Sequence, residues 1–173
     1  VLAELRELAP DVMVVAAYGQ FLSPSLLAIP PHGVLNIHPS LLPRYRGAAP
    51  VPWTLIHGDQ ETGVTILYVT PAMDAGDRLA QQRTAVKPGE TAGELEARLA
   101  SLGGYMLMDV LAQMEQGTLQ PVPQDPDQVV LAPKLRKSDG WMDFRLPASD
   151  LANRVRGLNP WPCCFCSMPD GEG

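Results

Sequence analysis

Val34-Leu35-Asn36-Ile37-His38-Pro39 constrains this chain more than any other segment. Polar and apolar residues alternate with period two, the repeat of a β-strand. Asn36 and His38 therefore share one face, while Leu35 and Ile37 turn the other way into apolar packing. Pro39 holds His38 extended and ends the strand. The pattern predicts a strand whose carboxyl end presents a carboxamide beside an imidazole, where open α/β sheets place their ligands. Such a pair suits acyl transfer: the amide can donate to the oxyanion of a tetrahedral intermediate, and the imidazole can move a proton. A carboxylate to orient the imidazole is available in the turn Met73-Asp74-Ala75-Gly76-Asp77. Asn-x-His on a strand is more often a capping pair or a satisfied core histidine, so the surrounding sequence must decide.

The surroundings predict an α/β domain. Val12-Met13-Val14-Val15-Ala16-Ala17 is a continuous apolar run, as for a strand buried on both faces. Leu2, Leu5 and Leu8 recur at helical spacing. Ser23-Pro24 opens a short helix with Ser23 as N-cap. A helix is predicted from Pro50 to Gly58, a strand from Val64 to Val69 and another from Arg78 to Val86. The loop holding Asp74 joins these two strands, so they can pair as neighbours. Thr91 and Glu94 form a capping box for a long helix ended by Gly117, with Leu95, Leu99, Leu102, Met106 and Val110 facing the core. The prolines and aspartates between Gln120 and Pro133 predict an extended linker. A further helix is expected from Ser149 to Arg156, broken by Asn159-Pro160-Trp161-Pro162. The expected organisation is a catalytic portion over 1–119, a linker over 120–145 and the opening of a second domain over 146–173.

Charge is unevenly spread. Residues 1–130 hold seven Lys and Arg against fourteen Asp and Glu, a net of −7. Residues 131–160 hold six against three, a net of +3. The acidic portion is a poor general platform for nucleic acid. Lys134, Arg136, Lys137, Arg154 and Arg156 are the better candidates for phosphate contact, with Arg44 and Arg46 nearer the Asn36/His38 strand. No apolar run approaches the roughly 18 residues of a membrane span. Cys163, Cys164 and Cys166 make no disulfide framework and lack a Cys-x-x-Cys step, so neither a bridge nor a metal site is expected. A reducing cytoplasm is the expected setting.

The residues after the strand carry a specific resemblance. Asn36-Ile37-His38-Pro39-Ser40-Leu41-Leu42-Pro43-Arg44-Tyr45-Arg46-Gly47-Ala48-Ala49-Pro50 resembles the signature of the 10-formyltetrahydrofolate-dependent formyltransferases. Thr62-Gly63-Val64-Thr65-Ile66, followed by Met73-Asp74-Ala75-Gly76-Asp77, resembles the second signature of that family. The resemblance implies a Rossmann-like, mostly parallel sheet, then a linker and the start of a small OB-like β-barrel. It implies Asn36, His38 and Asp74 as the catalytic triad, with Asp74 raising the pKa of the His38 imidazole. It implies folate contacts at Ser40, Leu41, Leu42 and Pro43, and pterin packing at Gln20, Phe21 and Leu22 in the turn after Tyr18-Gly19. His32 and His57 fall outside the implied site.

Ala132-Pro133-Lys134-Leu135, Asp139-Gly140 and Asn153-Arg154-Val155-Arg156-Gly157-Leu158-Asn159-Pro160-Trp161-Pro162 resemble the linker and second-domain opening of the branch that acts on methionyl-tRNA. The implied reaction moves a formyl group from 10-formyltetrahydrofolate to the α-amino group of methionyl initiator tRNA. It needs no metal and no membrane, and a monomer is expected. The triad alone leaves open a formyltransferase for an amino-sugar nucleotide, a hydrolase of the same folate, or a folate- or RNA-binding module without catalysis. Cys163-Cys164-Phe165-Cys166 departs from the family pattern. Helical rhythm already under way at Val1 and a stop at Asp170-Gly171-Glu172-Gly173 lead one to expect a piece of a longer protein.

Overall fold

A computed structural model of the chain describes residues 1–167. In chain order the elements are α1 (Leu2–Leu8), β1 (Met13–Val15), α2 (Pro24–Leu27), β2 (Val34–His38), β3 (Arg46–Gly47) and α3 (Pro50–Ile56). They continue with β4 (Glu61–Tyr68), β5 (Arg78–Ala85), α4 (Ala92–Glu115), β6 (Leu131–Ala132) and α5 (Ala148–Gly157).

The alternating strand forms as its pattern requires and is β2, at the heart of a four-stranded sheet of order β1-β2-β4-β5. β1 pairs with it in parallel, Met13 opposite Val34. A crossover containing α2 connects them, and Ser23 Oγ caps that helix by accepting from the Leu26 amide at 3.3 Å. β4 lies antiparallel on the other flank of β2, and β5 antiparallel to β4. The chain is thus α/β, with one parallel and two antiparallel pairings in this sheet. A parallel return needs a crossover of a dozen or more residues, which the short loop between β4 and β5 cannot supply.

The two faces of β2 separate as the alternation demands. Leu35 is fully buried and meets Val64 and Ile66 of β4 and Leu95, Leu99, Met106 and Val110 of α4 in one cluster. Each such aliphatic side chain contributes about 1.5–3 kcal/mol on leaving water. The α4 capping box is present, Thr91 Oγ1 accepting from the Glu94 amide and the Glu94 carboxylate from the Thr91 amide. β1 departs from expectation: it is only three residues long, and Val14 is 40% exposed. It is the terminal strand of the described sheet, so no neighbour covers its outer edge.

A second, smaller core joins α3 to α5. Ala49, Leu135 and Leu158 are buried there, with Trp53, Ile56 and Cys164 against them. Residues 120–133 cross between the two cores, extended apart from a 3-10 turn at Pro126–Gln128, but they do not hang free. Val122 exchanges both backbone hydrogen bonds with Arg78 at 2.9 Å, and β6 pairs in parallel with β3. Among the described residues no helix is long and apolar enough to cross a membrane. Residues 168–173, the end of the segment expected to open a second domain, lie outside the described residues.

Candidate active site

β2, with Asn36 and His38, and the loop between β4 and β5, with Asp74, bring three polar side chains together at the carboxyl end of β2. Asn36 Nδ2 donates to Asp74 Oδ1 at 3.4 Å, and His38 Nδ1 stands 3.7 Å from Asp74 Oδ2. The same Asp74 Oδ2 accepts from the Gly47 amide at 2.9 Å. The amide, imidazole and carboxylate expected together are therefore together. The His38–Asp74 separation is too long for a hydrogen bond but short for a charge interaction.

The other ring nitrogen settles the tautomer. His38 Nε2 lies 2.8 Å from the Tyr45 carbonyl oxygen, which can only accept, so Nε2 carries the hydrogen. In the neutral ring Nδ1 is then the basic atom, facing Asp74. Burial is the largest influence on this imidazole and pulls its pKa below the ordinary value; Asp74 and the Tyr45 carbonyl pull the other way. Asp74 thus acts in the expected direction, raising the pKa, but burial, which the sequence does not reveal, outweighs it. Desolvation wins because the side chain is 95% covered and its carboxylate partner sits beyond hydrogen-bond reach. The resting ring is neutral, ready to accept a proton, and Asp74 is placed to stabilise the imidazolium that would form.

Backbone strain frames the group. Tyr45 and Asp74 adopt left-handed conformations with φ of 64° and 49°, and Ala17 in the wall of the same cleft has φ of 52°. Such conformations cost of order 1–3 kcal/mol for residues with side chains and gather at functional sites. At Tyr45 the turn sends the carbonyl back toward His38. Its ring is buried, and its hydroxyl donates to Asp59 Oδ2 at 2.8 Å and meets His57 Nδ1 at 3.0 Å. Burial, foremost, pushes the phenol up to about 12, so it remains a donor. His57, at the end of α3, thus braces Tyr45 rather than reaching the cleft.

Gly47 and Gly76 are required by close approach. A Cβ on Gly47 would stand 2.6 Å from the Ala132 carbonyl oxygen of β6, at a φ of 124°. A Cβ on Gly76 would overlap the Tyr68 carbonyl. Either substitution would push apart segments that meet at Asp74.

Asn36, His38 and Asp74 border a cleft of about 610 Å³. Gln20, Phe21 and Leu22 line its wall with Tyr18, and Phe21 and Tyr18 are 72% and 56% exposed. Ser40, Leu41, Leu42 and Pro43, expected at the folate, do not line this cleft. Ser40 is buried and donates to the Arg44 carbonyl at 2.7 Å, and the Leu42 amide donates to Thr65 Oγ1 at 3.2 Å. Leu41, Leu42 and Pro43 border a separate, more polar depression with Arg44, Arg78 and Arg83. Their place in this structure is to shape the turn from His38 to Tyr45.

The basic residues divide likewise. Arg44 pairs with Asp59 at 2.9 Å, Arg154 donates to the Asp139 carbonyl at 2.7 Å, and Arg156 to Asn153 Oδ1 at 2.7 Å. Lys134, Arg136 and Lys137 are exposed. Cys163, Cys164 and Cys166 are free thiols. Among the described residues no three His, Cys, Asp or Glu side chains form a metal-binding group. Sequence reasoning missed Gln124, whose side chain touches both Arg46 and the Asp74 turn. A lone glutamine between Pro123 and Asp125 carries no sequence signal of that contact.

The formyl transferase family model matches residues 1–111, and the model of the formyl transferase C-terminal domain matches residues 134–172. A methionyl-tRNA formyltransferase of Myxococcus xanthus is 47% identical over 165 residues, covering 95% of this chain and 53% of that protein. The chain thus spans about half the length of the curated relatives it matches. Solved structures share its fold, two of which illustrate the range. One is a sugar N-formyltransferase from Shewanella sp FDAARGOS_354, with TM-score 0.80, 21% identity, and coverage of 98% of this chain and 69% of that one. The other is HypX from Aquifex aeolicus in complex with tetrahydrofolic acid, with TM-score 0.80, 19% identity, and coverage of 96% and 29%. With its first 111 residues matched by the formyl transferase family model, and with Asn36, His38 and Asp74 drawn together at one cleft, the chain belongs to the formyl transferase family.

Proposed function

We propose that the full-length protein transfers the formyl group of 10-formyltetrahydrofolate to the α-amino group of methionyl initiator tRNA. The observation that carries this reading is the convergence of Asn36, His38 and Asp74 at one cleft, in a chain 47% identical to a methionyl-tRNA formyltransferase. The cleft suits a flat heteroaromatic co-substrate. Its volume falls in the usual range for small-molecule sites, about 300–1,000 Å³, and Phe21 and Tyr18 offer exposed rings beside Gln20 and Leu22.

Each group of the triad has one task. The acceptor amine forms a bond to the formyl carbon, and Asn36, whose second amide hydrogen is free of Asp74, donates to the resulting oxyanion. His38 Nδ1 takes the proton lost by the amine. The carbon–N10 bond then breaks, and the proton passes to N10 of the departing tetrahydrofolate. Asp74 holds the transient imidazolium. Burial of His38 suits this task, because a base must be unprotonated before it can act.

The tRNA backbone would meet the exposed Lys134, Arg136 and Lys137 rather than the acidic body. The setting is the cytoplasm and the acting species a monomer. The test incubates the full-length protein with 10-formyltetrahydrofolate and either methionyl initiator tRNA, an amino-sugar nucleotide or water alone. Formyl-methionyl-tRNA is the expected product. Formylated sugar, or formate without an acceptor, would replace this reading with a sister transferase or a hydrolase.

A further inference from the structure

We infer that Gln124, in the extended segment between the two cores, is a positioning residue for Asp74. The inference rests on the formyl-transfer reading of the cleft. Gln124 Nε2 donates to the carbonyl oxygens of Asp74 and Gly76, each at 2.8 Å. Its Oε1 accepts from Arg46 Nε at 3.0 Å and Arg46 Nη2 at 2.7 Å. Carbonyls only accept and a guanidinium only donates, so chemistry dictates the orientation of the amide. Both amide hydrogens and both oxygen lone pairs are used.

These bonds close a ring around the carboxylate. Gln124 fixes the peptide plane that leaves Asp74 and holds the turn again two residues on. It also fixes Arg46, and the next residue, Gly47, donates its amide to Asp74 Oδ2 at 2.9 Å. Asp74 is thus gripped from its backbone and its side chain by two segments that Gln124 itself connects. The grip matters because Asp74 holds a φ of 49°, a conformation that surrounding structure must enforce. A relaxed turn would swing the carboxylate away from His38 and Asn36.

The segment is itself anchored on both sides of Gln124. Val122 bridges to Arg78, and Leu131 pairs with Arg46 in the β3–β6 ladder. Gln124 therefore enters the site from a held backbone rather than from a loose loop, as precise placement requires.

The experiment uses the full-length protein and its Gln124→Met, Gln124→Glu and Asp74→Asn variants. Met keeps the length and removes every hydrogen bond. Glu keeps an acceptor for Arg46 but offers the Asp74 and Gly76 carbonyls no donor. Two quantities are read: the His38 titration by imidazole 15N resonances, and kcat and KM for formyl transfer. Both Gln124 variants should lower the His38 pKa toward that of Asp74→Asn, since the opposing carboxylate has moved. Both should lose ~10- to 100-fold in kcat with little change in KM, as expected for misplacement of about 1 Å. A wild-type His38 titration in both variants would overturn the inference, as would a Gln124→Glu protein that behaves as wild type, which would reduce Gln124 to a staple for Arg46. The titration is independent of the acceptor, so absence of tRNA formylation by wild type would sink the functional reading while the resonances still decide this one.

Discussion

Strand β2 and the segment 120–133 both reach Asp74, and they do so by opposite routes. β2 delivers Asn36 and His38 through a regular repeat, with Leu35 locked in the core behind them. The segment has almost no regular structure and delivers one side chain, Gln124, from a backbone pinned by Val122 and β6. A strand inherits its precision from the sheet's hydrogen-bond ladder and buried face. An extended segment must obtain it contact by contact. The proposed chemistry sits on the rigid element, while its proposed orientation depends on an element that reads as a mere connection.

Removing the proposed oxyanion donor from β2 should have a large effect. Asn36→Ala in the full-length protein should lower kcat about 10²–10³-fold, as loss of one such donor does elsewhere. Near-normal turnover would take Asn36 out of the mechanism and break the assignment of chemistry to β2. On the other face of the same strand, Leu35→Ala should cost about 2–5 kcal/mol of stability, read by denaturant unfolding. The protein that stays folded should keep close to wild-type kcat. A large loss of kcat without a loss of stability would show that the two faces do not divide the labour.

The pH dependence sharpens the comparison. His38 has a folded pKa below its ordinary value, so its basic form persists at pH 7 and somewhat below. Activity should therefore decline on the acid side only below the ordinary histidine range. The unfolded chain takes up the proton first, so the stability linked to His38 neutrality is intact above the unfolded pKa and is lost as pH falls through the folded one. An acid limb of kcat/KM above the ordinary histidine value would mean that Asp74 outweighs burial.

Smaller effects test the periphery. Ser40→Ala removes one hydrogen bond to the Arg44 carbonyl and should cost about 0.5–1.5 kcal/mol of stability. KM for the folate should hardly move, because Ser40 does not line the cleft; a large rise would return Ser40 to the folate. Smallest of all, Gln128→Ala, in the same segment as Gln124 but bonded only to exposed Asp125, should change stability by less than about 0.5 kcal/mol. A loss of activity there would show that the whole segment matters, not its one inward side chain.

Much of this was legible because it repeats. The alternation of Val34 to His38, the helical spacing from Leu95 to Val110 and the Thr91/Glu94 capping box are periodic or fixed-distance signals, and each appears where expected. Asp74 was legible as a candidate partner for His38 on chemical grounds and through resemblance, but no spacing signal links the two across the intervening sequence. The protonation of His38 was not legible, because it is set by the balance between burial and a 3.7 Å approach. Gln124 was invisible for the same reason: one side chain on an irregular backbone has no period to betray it. The exposure of Val14 reflects what does not flank β1, which the apolar run itself cannot express.

Whether His38 moves the proton is decided by single-turnover formyl transfer to methionyl initiator tRNA by the full-length protein and its His38→Ala variant. A fall of about 10²–10⁴-fold in the chemical step is expected, the range of a positioned proton-transfer group, with folate still bound. A His38→Ala protein that transfers formyl at the wild-type rate would contradict that role.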